Sequence, residues 1–293
     1  MERFANAVEY EDINAWSLDE SDERRLAKDQ ALRIELDLAG TQQVWHRFGE
    51  AHLAPLVLLH GGSGSWTHWI RNVLALSQAR CVYALDLPGM GDSDLPPGAN
   101  DADDISDTVA LGMRALFGEQ AVDVMGFSFG GLTAGFLAAG HPELVQRLIM
   151  VGIPGLGLFG SPMKLRGLLP GMDKQAVLDV MENNLLAMML KREESIDQAV
   201  LYIQAHNVLR DRLRKRRLAR GDCLLEVQKK WQCPVHTIWG ELDVLYENTL
   251  HLIPKTLTHC DHVSHLVIKG SGHWVMYENS RAFNNAVLEI LSD

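Results

Sequence analysis

The chain has 293 residues, 47% of them apolar, and a formal net charge of −11. It is long enough to bury one large α/β core or two smaller ones, and its composition excludes wholesale disorder. The acidic balance disfavours general nucleic-acid binding, and no apolar run reaches the ~18 residues needed to cross a bilayer.

The opening stretch MERFANAVEYEDINAWSLDESDERR is acidic and lacks the apolar block of a signal peptide. A cytoplasmic location without a membrane partner is therefore expected. Residues 1 to about 40 read as a polar, partly helical extension packed on the main body. QQVWHRFG alternates and predicts a strand. PLVLLHGG is a continuous apolar run ending in glycines, as in a strand buried on both faces. Ser65 to Leu76 predicts a helix, and RCVYALDLPG a further buried strand ending at Asp86. A helix follows from about Asp103 to Phe117, with Ile105, Val109, Met113 and Leu116 on one stripe. AVDVMG then predicts a strand, FGGLTAGFLAAGH a helix and RLIMVGIPG a strand. After a long helical stretch, PVHTIWGELD and HLVIKGSGHW predict two more strands. This alternation argues for a parallel sheet with helices on both faces.

Between about Pro154 and Trp231 the rhythm breaks. A Gly- and Pro-rich stretch, IPGLGLFGSPMKLRGLLPG, precedes helical patterns such as AVLDVMENNLLAMML. An insertion of this length exceeds an ordinary connector. It reads as a helical lid (154–231) over the sheet's C-terminal edge, the core being 1–153 together with 232–293. Within it, RDRLRKRRLAR, Arg210 to Arg220, holds seven basic residues and one acid. The plainer reading is a solvated helix face; the sharper one is a pocket rim that attracts an acidic substrate.

The chemistry gathers around Gly126-Phe127-Ser128-Phe129-Gly130, a G-x-S-x-G run between a predicted strand and a predicted helix. Glycines there permit a sharp turn that exposes one hydroxyl. A serine hydroxyl needs a base, and the base needs an orienting group. Downstream, WGELD ends a strand and offers Asp243, with Glu241 as rival; GSGHW offers His273 after the next strand. All three positions fall at the edge where open α/β sheets carry their sites. His273 is the expected general base and acid, and Asp243 the group that fixes its tautomer. The attacked carbonyl's developing charge needs N–H donors. Phe129 at the helix start is one, and HGGSGSW supplies the second, Gly62 or else Ser63. A phosphate loop is excluded because the G-K-[ST] ending is missing. His259, His262 and His265 lie three apart, but beyond Asp261 no carboxylate completes a metal site. Neither metal nor cofactor is expected. Cys81, Cys223, Cys233 and Cys260 form no C-x-x-C pair and read as reduced, mostly buried thiols.

Taken in order, HGG (60–62), DLPGMGDSD (86–94), GFSFGG (126–131), WGELD (239–243) and GHW (272–274) resemble the α/β-hydrolase superfamily over residues 42 to 290. The resemblance implies a mostly parallel eight-stranded sheet, a Ser128–Asp243–His273 triad and an oxyanion hole from Gly62 and Phe129. Asp86 and Asp92 are then loop-shaping residues, and Ser63, Phe127 and Trp274 are candidate substrate contacts. GHW and the helical lid are similar to meta-cleavage-product hydrolases, which cut a carbon–carbon bond in dienoic keto acids. The loop HGGSGSWTHWIRN is shorter than that group's usual H-G-x-G-P-G stretch, and ordinary esterases share every triad feature. The expected activity is hydrolysis of a small carbonyl substrate, an ester or such a C–C bond. A ligand-binding receptor and a cofactor-free perhydrolase on the same fold are the alternatives. Homo-oligomerisation is left open.

Overall fold

The computed structural model describes residues 22–292 apart from 159, 161, 162 and 214. The expected N-terminal extension therefore lies mostly outside the described residues. Its described part is a helix, α1 (Asp22–Gln30), followed by a strand, β1 (Leu32–Leu38).

Eight strands form one sheet: β1, β2 (Thr41–Phe48), β3 (Pro55–Leu59), β4 (Cys81–Asp86), β5 (Val122–Phe127), β6 (Val145–Val151), β7 (Val235–Gly240) and β8 (His262–Ile268). Their spatial order is β1-β2-β4-β3-β5-β6-β7-β8. Only β2 runs antiparallel to its neighbours β1 and β4; from β4 to β8 the pairing is parallel. All six residues of β5 and of β7 are buried. These central strands carry helices on both faces, so their sequences run continuously apolar instead of alternating.

The helices are α2 (Val73–Leu76), α3 (Ala102–Phe117), α4 (Phe129–Gly140), α5 (Lys174–Asn184), α6 (Gln198–Leu209), α7 (Leu224–Val227), α8 (Ile253–Thr256), α9 (Val275–Glu278) and α10 (Ser280–Ser292). The helix expected over 65–76 is two pieces, a 3₁₀ turn Trp66–Trp69 and α2. One sheet face packs under α3 and α4 with Trp45, Leu59, Val124, Leu132 and Trp239. The other packs under α9 and α10 with Leu58, Met125, Phe127, Trp274 and Phe283. Among the described residues no helix is long and apolar enough to cross a membrane.

Between β6 and β7 lies a helical insert that contains α5, α6 and α7. Helix α5 stops at Asn184 and a π-helical turn, Leu185–Met189, completes the helical run read from the sequence. Asp173 and Asp197 cap α5 and α6 through bonds from Ala176 N–H and Val200 N–H, both 2.8 Å. Val177, Met181, Tyr202 and Ala205 make a small core of the insert's own. The basic run is not the expected helix face. Helix α6 ends at Leu209, and the described residues of 211–217 carry no helix. Polar bonds to the loop after β4 hold the chain out: Arg212 N–H donates to Gly89 C=O at 2.8 Å, the Arg212 guanidinium to Ser93 C=O, and Arg210 pairs with Asp92.

Candidate active site

Four parallel strands deliver the site from their C-terminal ends. β3 leads into Gly61–Ser63, β5 into Ser128, β7 into Asp243 and β8 into His273. At Ser128 the chain reverses from strand to helix within one residue, with φ 51° and ψ −119°. A non-glycine residue pays backbone strain there, of order 1–3 kcal/mol, so the surroundings must enforce it. Ser128 N–H donates to Val151 C=O at 2.8 Å, and its own C=O accepts from Leu132 N–H at 3.0 Å. The flanking glycines are required by closeness. A Cβ on Gly126 would lie 2.5 Å from Gly130 O, and one on Gly130 would lie 2.3 Å from the carbonyl oxygens of Leu59 and His60.

His273 Nε2 lies 2.9 Å from Ser128 Oγ, and its Nδ1 lies 2.8 Å from Asp243 Oδ2. An Nδ1–H directed at a carboxylate leaves the Nε2 lone pair facing the hydroxyl. Asp243 and His273 are each 1% exposed, which excludes water that would otherwise compete for these bonds. The second carboxylate oxygen of Asp243 accepts from Leu245 N–H at 3.0 Å, so the acid is held at both ends. The Phe127 ring packs against the imidazole, centroids 4.9 Å apart. Behind the acid, burial and the charge of Asp243 push the Tyr246 phenol well above its ordinary pKa. Glu241, the rival acid, is exposed and accepts from Gly270 N–H instead.

The Gly61–Ser63 loop crosses the mouth of the site. Gly61 N–H is taken by His68 Nδ1 at 3.2 Å, and Gly61 C=O by His60 Nδ1–H at 2.7 Å. Leu87 N–H donates to His60 Nε2 at 2.9 Å, which fixes that tautomer. Burial lowers the pKa of His60 to about 4 and that of His68 well below its ordinary value. Both rings are therefore neutral near pH 7 and can serve as acceptors at one nitrogen. The next amide along the loop is that of Gly62. The Phe129 amide opens α4, where N–H groups have no intrahelical partner.

Gly61, Gly62, Ser63, Phe127, Ser128, Phe129 and His273 line a cavity of about 460 Å³. Leu245 adds to the core side, and the insert supplies the rest of the wall, including apolar Pro154, Met163, Leu165, Met188, Met189 and Val208, polar Asn184 and Gln204, and the cations Arg166, Lys215, Arg216 and Arg220. Of the three candidate substrate contacts, Ser63 and Phe127 reach this cavity. Trp274 does not: it is buried, stacks on Tyr277 and donates its indole N–H to His68 C=O at 2.9 Å. It braces the turn Trp66–Trp69, and through His68 the Gly61–Ser63 loop, from behind. Asp86 also acts on loops, accepting from Trp66 N–H at 2.8 Å and Asp92 N–H at 2.9 Å. No group of three or more His, Cys, Asp and Glu suited to a metal ion occurs among the described residues.

Sequence reasoning did not single out His68, Asn207, Asp211 or Arg216, all of which touch this loop. The one available signal was Asp211, a lone acid among seven bases.

The Pseudomonas putida 2-hydroxy-6-oxononadienedioate/2-hydroxy-6-oxononatrienedioate hydrolase 2 is 27% identical over 288 residues, covering 88% of this chain and 93% of that one. A P. putida dihydrolipoyllysine-residue acetyltransferase component of an acetoin cleaving system is 28% identical over 268 residues, covering 87% and 68%. Among solved structures, a bacterial membrane phospholipase A superposes with a TM-score of 0.74 at 22% identity, over 92% of this chain and 88% of that one. The carboxylesterase CesB from Bacillus subtilis superposes with a TM-score of 0.72 at 17% identity, over 92% and 94%. At such identities these two structures bear on fold alone. Residues 56–286 match the model of the Alpha/beta hydrolase family, and the chain belongs to that family.

Proposed function

We propose that this chain is a serine hydrolase acting on a small carbonyl compound, and that residues 154–231 form the lid over its site. The observation that carries the reading is the continuous bonded line from Ser128 Oγ through His273 to Asp243. Ser128 Oγ attacks the substrate carbonyl while His273 Nε2 takes its proton. The carbonyl oxygen becomes an oxyanion facing the amides of Gly62 and Phe129. Collapse of this intermediate expels the leaving group, protonated by His273, and leaves an acyl ester on Ser128. Water then attacks that ester with His273 as base, and the carboxylic acid departs. Asp243 stabilises the imidazolium in both halves.

The bond is a carboxylic ester or the C–C bond of a dienoic keto acid. An acidic substrate is favoured because Arg166, Lys215 and Arg220 line the cavity besides Arg216, which is paired with Asp211, and among the described residues no carboxylate side chain lines it. The volume suits a small molecule. The test is a panel of ethyl esters and dienoic keto acids, neutral and anionic, assayed with the wild type and Ser128→Ala. Hydrolysis abolished by the substitution supports the reading. Equal steady rates for the two proteins would overturn it, and a burst with no steady turnover would favour a receptor that retains slow chemistry.

A further inference from the structure

We infer that Asp211 and Arg216, the lone acid and one base of the run Arg210–Arg220, are positioning residues for the oxyanion hole; this rests on the hydrolase reading above. Ser63 Oγ–H donates to Asp211 Oδ2 at 2.6 Å across 148 residues of sequence. Arg216 pairs with the same carboxylate oxygen and donates from Nη1 to Ser63 Oγ at 3.1 Å. These three groups close a small polar ring at the residue that follows Gly62.

The guanidinium also touches both carriers of the proposed oxyanion amides. A Cβ on Gly62 would lie 2.7 Å from Arg216 Nη1, and the guanidinium carbon lies 5.4 Å from the centre of the Phe129 ring. The end of an insert arginine thus lies directly against Gly62, where an added methyl group would push it aside. Ser63 sits at φ 49°, a left-handed conformation that is costly for a non-glycine residue. The two bonds to its hydroxyl are of the size needed to offset that cost, and they orient the Gly62–Ser63 peptide.

Asp211 is itself fixed by the chain that follows it, which is anchored on the loop after β4. Its Oδ1 accepts from Leu213 N–H at 3.0 Å, and the neighbouring Arg212 N–H donates to Gly89 C=O at 2.8 Å. One turn earlier on α6, Asn207 Nδ2–H donates to Thr67 Oγ1 at 3.1 Å, and its Oδ1 accepts from Ser65 Oγ–H at 2.8 Å. Asn207 at the end of α6 thus grips Ser65 and Thr67, and the non-helical chain just after it grips Ser63. Losing one oxyanion donor outright typically costs ~10²–10³ in rate, so a misplaced Gly62 amide should be felt in kcat. Seating of the insert and assembly of the hole are one event in this geometry.

The test uses the full chain and two readouts. One is the second-order rate of Ser128 labelling by an alkyl fluorophosphonate, whose phosphoryl oxygen occupies the oxyanion position, followed by mass spectrometry. The other is kcat and KM for 4-nitrophenyl butyrate. Asp211→Ala is expected to slow labelling and kcat at least tenfold with KM within threefold. Asp211→Asn, which keeps an acceptor for Ser63, should recover most of the rate. Ser63→Ala should lose a similar factor, and the double variant with Asp211→Ala no more than either single one, because both remove the same bond. Arg217→Gln, an exposed base of the same run, should match the wild type. Should Asp211→Ala fail to fold, Ser63→Ala, which removes one hydroxyl, carries the test. Wild-type labelling rates in Asp211→Ala, or losses that multiply in the double variant, would overturn the inference while leaving the hydrolase reading standing. If the wild type neither labels at Ser128 nor turns over any ester, the hydrolase reading falls and this inference with it.

Discussion

The two walls of the cavity are held by different kinds of force. On the core side, Ser128 is fixed by main-chain sterics: Gly126 and Gly130 leave no room for a methyl group, and strand β5 ends where the helix must begin. On the insert side, the loop after β3 is held by side chains from α6 and the basic run, Asn207, Asp211 and Arg216, reaching across 140–153 residues of sequence. The first wall resists any change of shape. The second can be undone one hydrogen bond at a time, which suits a surface that must admit a substrate.

The sharpest break on the core side is Asp243→Asn. The amide keeps the volume but presents an N–H₂ or a weaker acceptor to His273 Nδ1, so the imidazole loses its orienting charge and its preferred tautomer. By analogy with known triads, kcat should fall by ~10³–10⁴, with KM and thermal stability little changed. Steady-state kinetics with any turned-over ester reads this. A loss under tenfold would mean that the buried carboxylate is structural and that Ser128 does not depend on it.

The buried histidines beneath the Gly61–Ser63 loop give the next largest effect, on stability and pH. His60 falls from an ordinary pKa near 6.5 to about 4, because burial disfavours its charged form. The unfolded chain therefore binds more protons than the folded one between these values, and stability is lost as pH falls from about 6.5 towards 4. The shift corresponds to an order of 3 kcal/mol for His60 alone. His68, shifted in the same direction by burial, adds to it. Urea denaturation at pH 7.5 and pH 5 should show about 2 kcal/mol of this for His60, the full loss being reached only near pH 4. A flat profile over that range would mean that these rings are not buried as neutral groups and that the loop is held in some other way.

How much of this was legible in the sequence follows the same division. The elbow, Asp243 and His273 could be placed because each follows a strand whose apolar run is unmistakable, and because glycines mark where backbones touch. Strand β1 was hidden. It is an edge strand with Arg33, Glu35 and Asp37 alternating into solvent, so no buried run announces it, and charge on an edge is how sheets avoid adding partners. The break at Arg71–Asn72 inside an expected helix comes from tertiary bonds: Asn72 Nδ2–H donates to Met276 C=O and Asn284 Oδ1, at 2.9 and 2.8 Å. Local periodicity carries no trace of such partners. The insert was readable as helical but its purpose was not, since Ser63 and Asp211 carry no pattern that links them. A run with seven bases looks like a solvated face until the fold reveals which atoms the bases bond.

Gly130→Ala sharpens the core half at a smaller scale. The added methyl would sit 2.3 Å from two backbone carbonyl oxygens, which cannot turn away as a side chain can. Overpacking of this kind costs about 1–3 kcal/mol. That corresponds to roughly 2–4 °C in Tm per kcal/mol for a domain of this size. Activity should fall further than stability, because the backbone shift moves β3 and the elbow apart, and with them Gly62 and Ser128. Calorimetry together with kinetics on the same sample separates the two effects.

The smallest effect tests the insert half. Asn207→Ala removes the bonds to Ser65 and Thr67 but leaves Ser63, Asp211 and Arg216 in place. The loop then keeps its nearer anchor and loses its farther one. Because Asn207 is 2% exposed, the stranded hydroxyls lose buried partners at a cost of about 1–2 kcal/mol, read as a drop of a few degrees in Tm. The rate should fall only a few-fold, since the peptide between Gly62 and Ser63 is still oriented by Asp211. A loss as large as that of Asp211→Ala would instead mean that the loop responds as one rigid unit, with Asp211 holding no privileged place in it. A Tm unchanged from the wild type would mean that α6 does not grip the loop at this turn.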